Sequence, residues 1–434
     1  MSTMIAKARM QANQEALERI AAASPQLVGV AYAHELLDFP DKTTPQIQHA
    51  GPPLAWDEMC GPLKGAILGV CVYESWAANL QEAQELAESG KISFVHNHER
   101  NCVGPMTGMI SYSMPLFIVE NTSFGNRAYS SINEGVGKVM RFGANDEEVI
   151  ARLRWLEKSF APLLAKALEI HGPLDLKVIA SKALAMGDEL HQRNIAASAL
   201  FYREMASSFQ EAAALFVEEE KMSAQEAMKV LSEISQFFFT NEQFFLNLAM
   251  AAAKASIDPI KGIEYCSLVS AMSRNGTKFG IKVSALGDQW FEAPVEMPQG
   301  LYFPGFSEKD ANPDIGDSAI TECVGFGGMA MASAPAVTQF LGLDGSQAAF
   351  DITEQMFEIC AGKSQVYKMP SLNFEGTPSG IDIVSVLEKG IRPYINSGIA
   401  HKKPGLGQVG AGVVFPPMSC FEQALLAYAD KYGL

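Results

Sequence analysis

The sequence predicts an α+β protein in which a mostly helical domain separates two α/β-containing domains. Strand-like and helix-like segments alternate before Asp146. Glycine is absent between Gly187 and Asp258, where apolar residues keep a helical spacing, and turn-rich strand patterns return after Pro259. At 434 residues the chain is long enough for more than one domain. The predicted domains span residues 1–165, 166–258 and 259–434.

Composition and charge exclude several classes of function. The formal net charge of -16 is unfavourable for contact with nucleic-acid phosphates. The N-terminus lacks the apolar core of a signal peptide, and no stretch of about eighteen apolar residues predicts a membrane span. The seven cysteines are scattered singly, as is typical of a reducing compartment. We expect a cytoplasmic protein, oligomeric in its assembly, that binds neither nucleic acid nor membranes.

The first domain is predicted to combine helices and strands. Apolar residues recur at helical spacing from Ile5 to Ala23, and Pro25 fixes the end of that helix. The apolar run at 66–72 lies between glycines and is compatible with either a buried strand or a packed helix. The other predicted elements are strands at 27–31, 92–96 and 116–119 and a helix at 75–89.

Two histidines of this domain suggest a metal site as one alternative. His96 and His98 are two residues apart, so both would project from the same side of a strand, where imidazoles can chelate zinc. No third ligand follows at a recognisable spacing, and a polar loop that satisfies these side chains is the simpler interpretation. We therefore predict no metal and no other cofactor. Farther along, Lys138 and Arg141 lie near glycines and are a place for anion contacts, although a solvated helix end explains them equally.

The densest polar cluster of the sequence lies in the helical domain, at 187–194. On a helix, Asp188 and His191 would lie on one face, so that the carboxylate would orient the imidazole as a general acid or base. Glu189 and Arg193 would form a second pair, worth about 0.2–0.5 kcal/mol if it is a surface ion pair. Because the neighbouring segments are apolar, we favour a functional role for this cluster.

The third domain opens with the clearest hairpin pattern of the chain. Alternating residues from Ser270 to Val283 flank Asn275-Gly276, a dipeptide typical of tight hairpin turns. Arg274 precedes this turn. Its guanidinium is a candidate for binding a carboxylate ligand, although a charge at the edge of a strand is an equally good explanation.

A loop with three carboxylates is the segment around which we expect the site to form. Asp314, Asp317 and Glu322 lie in a Pro/Gly-rich stretch that continues through Gly327. Asp side chains favour turns, and glycines let backbone N–H groups approach a small anion closely. The alternative is a capped loop in which Asp317 or Ser318 starts a buried helix.

A second glycine-rich loop follows His401. Residues 405–410 match the G-x-G-x-x-G pattern, but a strand-like run and two prolines follow where a dinucleotide site requires a helix. We therefore predict that no dinucleotide binds here. His401, Lys402, Gly405 and Gly407 are candidates for binding phosphate or carboxylate instead.

Motifs spread over nearly the whole chain resemble the bacterial YahG/YlbE-like family. The resemblance implies two uncommon α+β domains with a helical domain between them, which agrees with the segmentation above. The segments that carry it are His49-Ala50-Gly51-Pro52-Pro53, the G-P-x-x-G loops at 61–65 and 104–108, and the segments 133–143, 187–194, 312–322, 398–412 and 420–425.

The resemblance also implies a function. The YlbE branch of the family, also called AllG, is associated with anaerobic allantoin degradation as one of three subunits, with FdrA and YlbF, of oxamate carbamoyltransferase. That reaction interconverts oxalurate plus phosphate with oxamate plus carbamoyl phosphate. It implies FdrA-like and YlbF-like partners, a small anionic substrate and phosphate. Two alternatives remain open: a noncatalytic partner of a CoA-ligase-like FdrA subunit, and a self-sufficient metal-dependent enzyme that uses the two histidines above.

The resemblance supplies no catalytic residues, so we assign the site from chemistry. Oxalurate carries a carboxylate, which Arg193 or Arg274 could bind by the guanidinium fork, and phosphate could bind on glycine amides near Lys402. Breaking the ureido C–N bond requires proton transfer. His191 is the first candidate for this role and His401 is the second.

These candidates predict a single cleft. The cluster at 187–194 has acid/base groups and a cation but no glycine loop, whereas the loops at 314–328 and 401–412 have glycines with carboxylates or lysines. Proton transfer and charge stabilisation require all of these groups within a few ångströms of each other. We therefore predict that the three segments converge.

Overall fold

The computed structural model describes residues 3–343 and 345–434, and helices and strands follow one another along this part of the chain. The α-helices are α1 (Thr3–Ala22), α2 (Ala33–Leu36), α3 (Gly61–Tyr73), α4 (Leu80–Glu88), α5 (Glu147–Trp155), α6 (Ala161–His171), α7 (Leu176–Ala185), α8 (Ile195–Glu218), α9 (Ala224–Thr240), α10 (Phe244–Ile257), α11 (Gly345–Ile359), α12 (Ile383–Lys389) and α13 (Met418–Tyr432). The β-strands are β1 (Pro25–Tyr32), β2 (Gln46–His49), β3 (Ser93–His96), β4 (Pro115–Asn121), β5 (Asn126–Ser131), β6 (Leu174–Asp175), β7 (Val269–Asn275), β8 (Lys278–Val283), β9 (Phe291–Pro294), β10 (Gln299–Tyr302), β11 (Ile315–Gly316), β12 (Cys360–Met369), β13 (Glu375–Ile381), β14 (Ile395–Ala400) and β15 (Gln408–Val414).

The predicted α+β class is confirmed, since the strands form several small sheets that pack with helices. In the N-terminal part, an antiparallel sheet has the strand order β5-β4-β1-β6. The short parallel pair of β2 and β3 places His49 opposite His96. Among the described helices, none combines the length and the apolar character that crossing a membrane requires.

The apolar run at 66–72, which the sequence left open, belongs to a helix. Helix α3 begins at Gly61 with Pro62 in its first turn, where the fixed φ and the missing N–H of proline are tolerated. A Cβ at Gly65 would lie 2.4 Å from the carbonyl oxygen of Gly143. The glycine therefore lets α3 pack directly on the backbone of the 135–143 segment, which contributes to the site described below.

The stretch from α5 to α10 is mostly helical, with β6 between α6 and α7. All 14 residues of α10 are buried, and this helix contacts β1, β4 and β5. Phe238 and Phe244 form part of an aromatic cluster with a ring-centroid distance of 4.5 Å. Because β6 pairs with β1, the helical stretch also shares a sheet with the N-terminal part. The domain boundaries at 165 and 258 therefore remain a prediction.

Two sheets of the C-terminal part hold loops that reach the site. The predicted hairpin is confirmed: β7 and β8 pair around Asn275-Gly276, where Gly276 has a φ of +81°. The hairpin belongs to a sheet with the order β11-β7-β8-β9, and β10, β15 and β14 form a second sheet. Strand β11 pairs with Arg274 and Asn275 of β7. The carboxylate loop, which contains β11, therefore lies beside Arg274.

Candidate functional site

The segment between α7 and α8 forms a loop instead of the predicted helix. Gly187 has a φ of +100° and Leu190 a φ of +67°, conformations that a continuing helix does not allow. Oδ2 of Asp188 accepts a hydrogen bond from the Ala197 amide at 2.8 Å and so caps the first turn of α8. The predicted pairing of Asp188 with His191 is wrong, because the helical spacing on which it depended is absent.

Glu322 is the carboxylate that orients His191. Nδ1 of His191 lies 2.7 Å from Oε1 of Glu322, and both side chains are buried. The same oxygen accepts hydrogen bonds from the backbone amides of Gly328 at 3.1 Å and Asn396 at 3.3 Å. These donors fix the carboxylate, which in turn fixes the imidazole ring. Within the described residues Nε2 has no hydrogen-bond partner, so it is the nitrogen that remains for chemistry.

A second buried acid, Glu189, lies beside this pair. Its carboxylate accepts hydrogen bonds from the amides of His191 at 3.0 Å and Arg193 at 2.6 Å. Burial, together with the charge of Glu322, raises the pKa of Glu189 to about 8. The predicted surface pair of Glu189 with Arg193 is therefore wrong. Nε of Arg193, whose side chain is partly exposed, lies instead 3.7 Å from Oδ1 of Asp188, and burial raises the pKa of Asp188 to about 6.

Gly327 allows the carboxylate loop to approach the histidine. It has a φ of +59°, and its amide donates a hydrogen bond to the carbonyl of Glu189 at 2.7 Å. A Cβ at this position would lie 2.0 Å from Oε1 of Glu322 and 3.1 Å from Cβ of His191. Glycine satisfies both the backbone conformation and the close approach. Gly327 was predicted to belong to a ligand loop. In the structure, it lets this loop pack against the His191–Glu322 pair.

A small cavity lies beside His191. Its volume is about 50 Å³, which is room for about three or four water molecules. Its polar lining residues come from distant parts of the sequence: Arg141, His191, Gln192, Gln243, Ser318 and Gln408. Its other lining residues are Pro105, Met106, Val136, Phe142, Leu246 and Gly398. The 187–194 loop, the loop after β11, and strands β14 and β15 therefore meet at one place.

Arg141 provides the positive charge of this cavity. Its side chain is 7% exposed. Nε donates to the carbonyl of Gly135 at 2.8 Å, and the guanidinium carbon lies 4.6 Å from the centroid of the Phe142 ring. Neither terminal nitrogen has a hydrogen-bond or ion-pair partner among residues 3–343 and 345–434. Burial lowers the pKa of Arg141 to about 10, so the guanidinium stays charged at neutral pH.

Arg274 and Asp314 form a buried ion pair next to the cavity. Nε of Arg274 lies 2.5 Å from Oδ2 of Asp314, and neither side chain is exposed. The terminal nitrogens of Arg274 donate to the carbonyl of Gly316 at 2.8 Å and to the hydroxyls of Ser318 and Ser397 at 3.2 Å. Each guanidinium nitrogen of Arg274 therefore already has a protein acceptor. Arg274 was predicted to bind the carboxylate of a ligand or to be a charge at a strand edge. In the structure it is buried and paired with Asp314 of the chain itself.

Asp317 joins three separate loops. Its Oδ1 accepts from the Gly51 amide at 3.0 Å and the Ser273 hydroxyl at 2.5 Å. Its Oδ2 accepts from Nδ2 of Asn97 at 2.8 Å and the Gly104 amide at 3.0 Å. Burial raises the pKa of this carboxyl group. A short buried helix does begin at Ser318, directly after Asp317, but the Asp317 carboxylate makes no cap hydrogen bond to it.

His401 and Lys402 do not line the cavity. Nδ1 of His401 accepts a hydrogen bond from the Lys403 amide at 2.9 Å, and Nε2 lies 3.9 Å from Oδ1 of Asp310. Lys402 is exposed, and its amide donates to the Asp310 carbonyl at 2.8 Å. The predicted convergence of segments therefore brings His191 and Glu322 together, but it does not include His401 and Lys402.

The glycines of the same loop pack on the backbone of the 135–143 segment. The amide of Gly405 donates to the carbonyl of Gly143 at 2.9 Å, so this amide is engaged. A Cβ at Gly407 would lie 2.5 Å from the carbonyl oxygen of Gly137. This close packing brings the next residue, Gln408, to the cavity. After Gln408 the chain continues as strand β15, and the helix that a dinucleotide site needs does not follow.

The histidines considered for a metal site lie in different elements. Strand β3 ends at His96, and His98 lies in the next turn, so the predicted placement on one strand is wrong. Nε2 of His98 lies 3.5 Å from Oδ1 of Asp317, and both rings contact the ring of Trp290 edge-on. Burial lowers the pKa of His96 to about 4 and also holds the pKa of His98 well below its ordinary value. Over the described ranges, no three His, Cys, Asp or Glu side chains gather as a metal site would require.

Several cavity residues were not chosen from the sequence. Arg141 had a signal, since it belongs to a short run of cations near glycines in an acidic chain. Gln192 lies inside the polar cluster at 187–194, but the charged residues and the histidine of this cluster were assigned to the site instead. Gln243 and Gln408 had no signal, because a glutamine between two helices or beside a glycine is common in loops.

Comparisons with known proteins give a consistent result. The family model described as oxamate carbamoyltransferase subunit AllG matches residues 92–318, which include Arg141 and His191. Oxamate carbamoyltransferase subunit AllG of Escherichia coli (strain K12) is 47% identical over 425 residues, which cover 98% of each protein. The uncharacterized protein YahG of the same organism is 43% identical over 423 residues, covering 98% of this chain and 86% of YahG. The crystal structure of a conserved protein of unknown function from Enterococcus faecalis V583 has a TM-score of 0.91 and 38% identity, covering 98% of this chain and 99% of that one.

Proposed function

The chain belongs to the AllG family of oxamate carbamoyltransferase subunits, and on this premise we propose that it contributes the site at which oxalurate and phosphate are interconverted with oxamate and carbamoyl phosphate. The partners in this proposal are FdrA-like and YlbF-like subunits, and the setting is allantoin degradation in the cytoplasm. The similarity to AllG over nearly the whole chain supports the subunit role. The reaction and the partners are the part that the experiment below tests.

The His191–Glu322 pair beside a cationic cavity is the observation that carries the proposal. Carbamoyl transfer needs an acid/base group next to a place where a small anion can bind. Glu322 holds Nδ1 of His191 at 2.7 Å, so the ring has a fixed orientation with Nε2 unpartnered within the described chain. Arg141 lines the same cavity and supplies the charge for an anion.

The proton balance of the reaction requires one transferable proton. An oxygen of hydrogen phosphate attacks the ureido carbonyl carbon of oxalurate, and a C–O bond forms. The bond from that carbon to the nitrogen shared with the oxalyl group then breaks, which yields carbamoyl phosphate and the oxamate nitrogen. The proton lost by phosphate is the one that this nitrogen gains. In our proposal, Nε2 of His191 accepts and returns this proton, and Glu322 stabilises the imidazolium that forms in between.

The experiment is reconstitution of the complex with and without its partner subunits, with carbamoyl phosphate as the measured product. His191→Asn keeps a donor toward Glu322 but lacks Nε2, and we expect it to lower turnover by about 10²-fold or more. His171→Asn is the matched control, because His171 lies at the end of α6 near Glu204 and does not line the cavity.

Two outcomes would contradict the proposal. If the His191→Asn complex assembles and turns over at the normal rate, the chain acts as a noncatalytic partner of the FdrA-like subunit. If the wild-type complex forms no carbamoyl phosphate from oxalurate and phosphate, the family assignment stands but the reaction proposed for this chain is wrong.

A further inference from the structure

We propose that Arg141 binds the carboxylate of a small planar monoanion, of the oxamate type, in the cavity beside His191. The identity of this anion rests on the proposed function. Three properties of the cavity support an anion site: the partners of Arg141, the chemistry of the lining and the size of the space.

Arg141 is a buried cation whose two terminal nitrogens have no acceptor in the described part of the chain. A buried polar group is normally hydrogen-bonded, and a buried charge is normally paired. Arg274 follows this rule, with Asp314 at 2.5 Å and acceptors on its terminal nitrogens. Arg141 has only the Gly135 carbonyl on Nε among the described residues. The nearby acid, Glu134, directs its oxygens to the backbone amides of Met140 at 2.7 Å and Arg141 at 3.2 Å.

The rest of the cavity lining suits a ligand that carries an amide next to a carboxylate. The side chain of Gln192 has no hydrogen-bond partner in the described chain, so its amide can both donate and accept. Gln408 accepts from the Gly137 amide at 3.3 Å and donates to the Gly410 carbonyl at 3.1 Å, which leaves it one further N–H. Arginine matches the two oxygens of a carboxylate by two parallel hydrogen bonds. The amide end of oxamate would then contact the glutamines.

The size and the charge of the cavity suit a small monoanion. A volume of about 50 Å³ is too small for a nucleotide or for coenzyme A but fits a ligand that replaces a few waters. The cavity contains the charge of Arg141, while His191 is already paired with Glu322. The buried carboxylate of Glu134 also acts on the charge of Arg141, so the positive charge that remains matches a monoanionic carboxylate better than the dianion of phosphate. We therefore expect phosphate to bind here more weakly than oxamate.

Calorimetric titration of the whole purified chain with oxamate, and separately with inorganic phosphate, tests the inference. We expect saturable oxamate binding that Arg141→Lys weakens by at least about tenfold, since lysine keeps the charge but loses the fork. Arg152→Lys is the control. Arg152 donates to the Glu134 carbonyl at 3.2 Å and does not line the cavity, so this variant should bind oxamate like the wild type.

A second variant keeps the test valid if Arg141→Lys fails to fold. Gln408→Glu preserves the shape of the side chain and the acceptor for Gly137, but it adds a negative charge to the lining. It should abolish oxamate binding while its melting temperature stays close to that of the wild type. The inference is wrong if the wild type does not bind oxamate, if a folded Arg141→Lys binds it normally, or if phosphate binds more tightly.

The same variants separate this inference from the proposed function. If oxamate binds through Arg141 but the reconstituted complex forms no carbamoyl phosphate, the anion site stands and the reaction fails. If the complex is active and Arg141→Lys has the normal KM for oxamate in the reverse reaction, the reaction stands and the assignment of Arg141 fails.

Discussion

At the scale of single residues, the partners of each buried charge indicate its role. Arg274 with Asp314, and Lys254 with Asp258 at 2.6 Å, are closed pairs that hold the fold together. Burial lowers the pKa of Lys254 to about 8, yet its ammonium still contacts the carboxylate. The His191–Glu322 pair differs, because Nε2 has no partner in the described chain. An open position of this kind is expected of a group that handles a substrate.

Glu189 gives the stability of the protein a specific dependence on pH. Its pKa is raised from 4.5 to about 8 by burial and by Glu322, so the folded state binds more protons than the unfolded state between these values. The contribution is fully present below about pH 4.5 and is lost as the pH rises through about 8. We expect the free energy of unfolding to fall between about pH 6 and 8.5 by on the order of 1–3 kcal/mol through this group. Urea denaturation at both pH values measures it.

Glu189→Gln is the variant that isolates this effect. It cannot titrate, so the pH dependence of its unfolding free energy should be smaller than that of the wild type by the same amount. The control is Glu18→Gln in the first helix, where Glu18 is exposed and its Oε1 accepts from Gln14 at 3.0 Å. If the unfolding free energy of Glu189→Gln depends on pH as that of the wild type does, Glu189 is ionised in the folded protein and the prediction is wrong.

At the scale of elements, the site forms where loops from three regions of the chain are held together by buried carboxylates. Asp317 accepts hydrogen bonds from the loops that contain Gly51, Asn97 and Gly104, and Glu322 accepts from Gly328 and from strand β14 through the amide of Asn396. The carboxylate loop was predicted as a ligand loop. In the structure, its acids contact protein groups, and it contributes Ser318 to the cavity.

Gly327→Ala tests how closely these loops must approach each other. The new Cβ would lie 2.0 Å from Oε1 of Glu322, so either the loop or the carboxylate must move and His191 loses its orientation. We expect destabilisation well above the roughly 1 kcal/mol typical of alanine at a positive φ. Activity of the reconstituted complex should fall by at least about tenfold, since a misplaced catalytic group is costly. Thermal melting and the carbamoyl phosphate assay measure the two effects.

Gly125→Ala is the matched control for this prediction. Gly125 has a φ of +74°, similar in sign to the +59° of Gly327, but a Cβ there would meet nothing within 4 Å. This variant should show the backbone strain alone and keep normal activity. Equal effects of the two substitutions on melting temperature and activity would mean that contact with Glu322 does not matter.

The sequence predicted the elements better than the contacts between them. The helix before Pro25 and the hairpin at Asn275-Gly276 follow from local chemistry, so the sequence alone was enough to predict them. His191 was identified because polar clusters in apolar surroundings need partners. Its partner Glu322 could not be found, since the two residues are 131 positions apart and helical spacing pointed to Asp188 instead. Contacts at such distances depend on packing that no local pattern encodes.

At the scale of the whole molecule, one hydrophobic core runs through the three predicted domains. A single cluster of buried residues includes Leu27, Phe244 and Phe421, one from each predicted domain. Helix α10 connects them, since it is buried along its full length and packs on the N-terminal sheet. The boundary at 165 falls inside helix α6, whereas the boundary at 258 coincides with the end of α10. Separate folding units would instead show polar surfaces between them.

This continuity predicts a single cooperative unfolding transition. Trp155 lies in the first predicted domain but contacts Phe237 of the helical domain at a ring-centroid distance of 5.3 Å, so it reports on the helices from α5 to α10. Trp290 reports on the C-terminal part, and circular dichroism reports on all helices. Comparing Trp155→Phe and Trp290→Phe assigns the fluorescence change to each region. Because the core is shared, we expect the melting temperatures from fluorescence and from circular dichroism to coincide within about 2 °C in the wild type and in each variant. A helical region that melts separately from the region around Trp290 would instead establish the predicted domains as independent folding units, because two-state behaviour requires that all probes report the same transition.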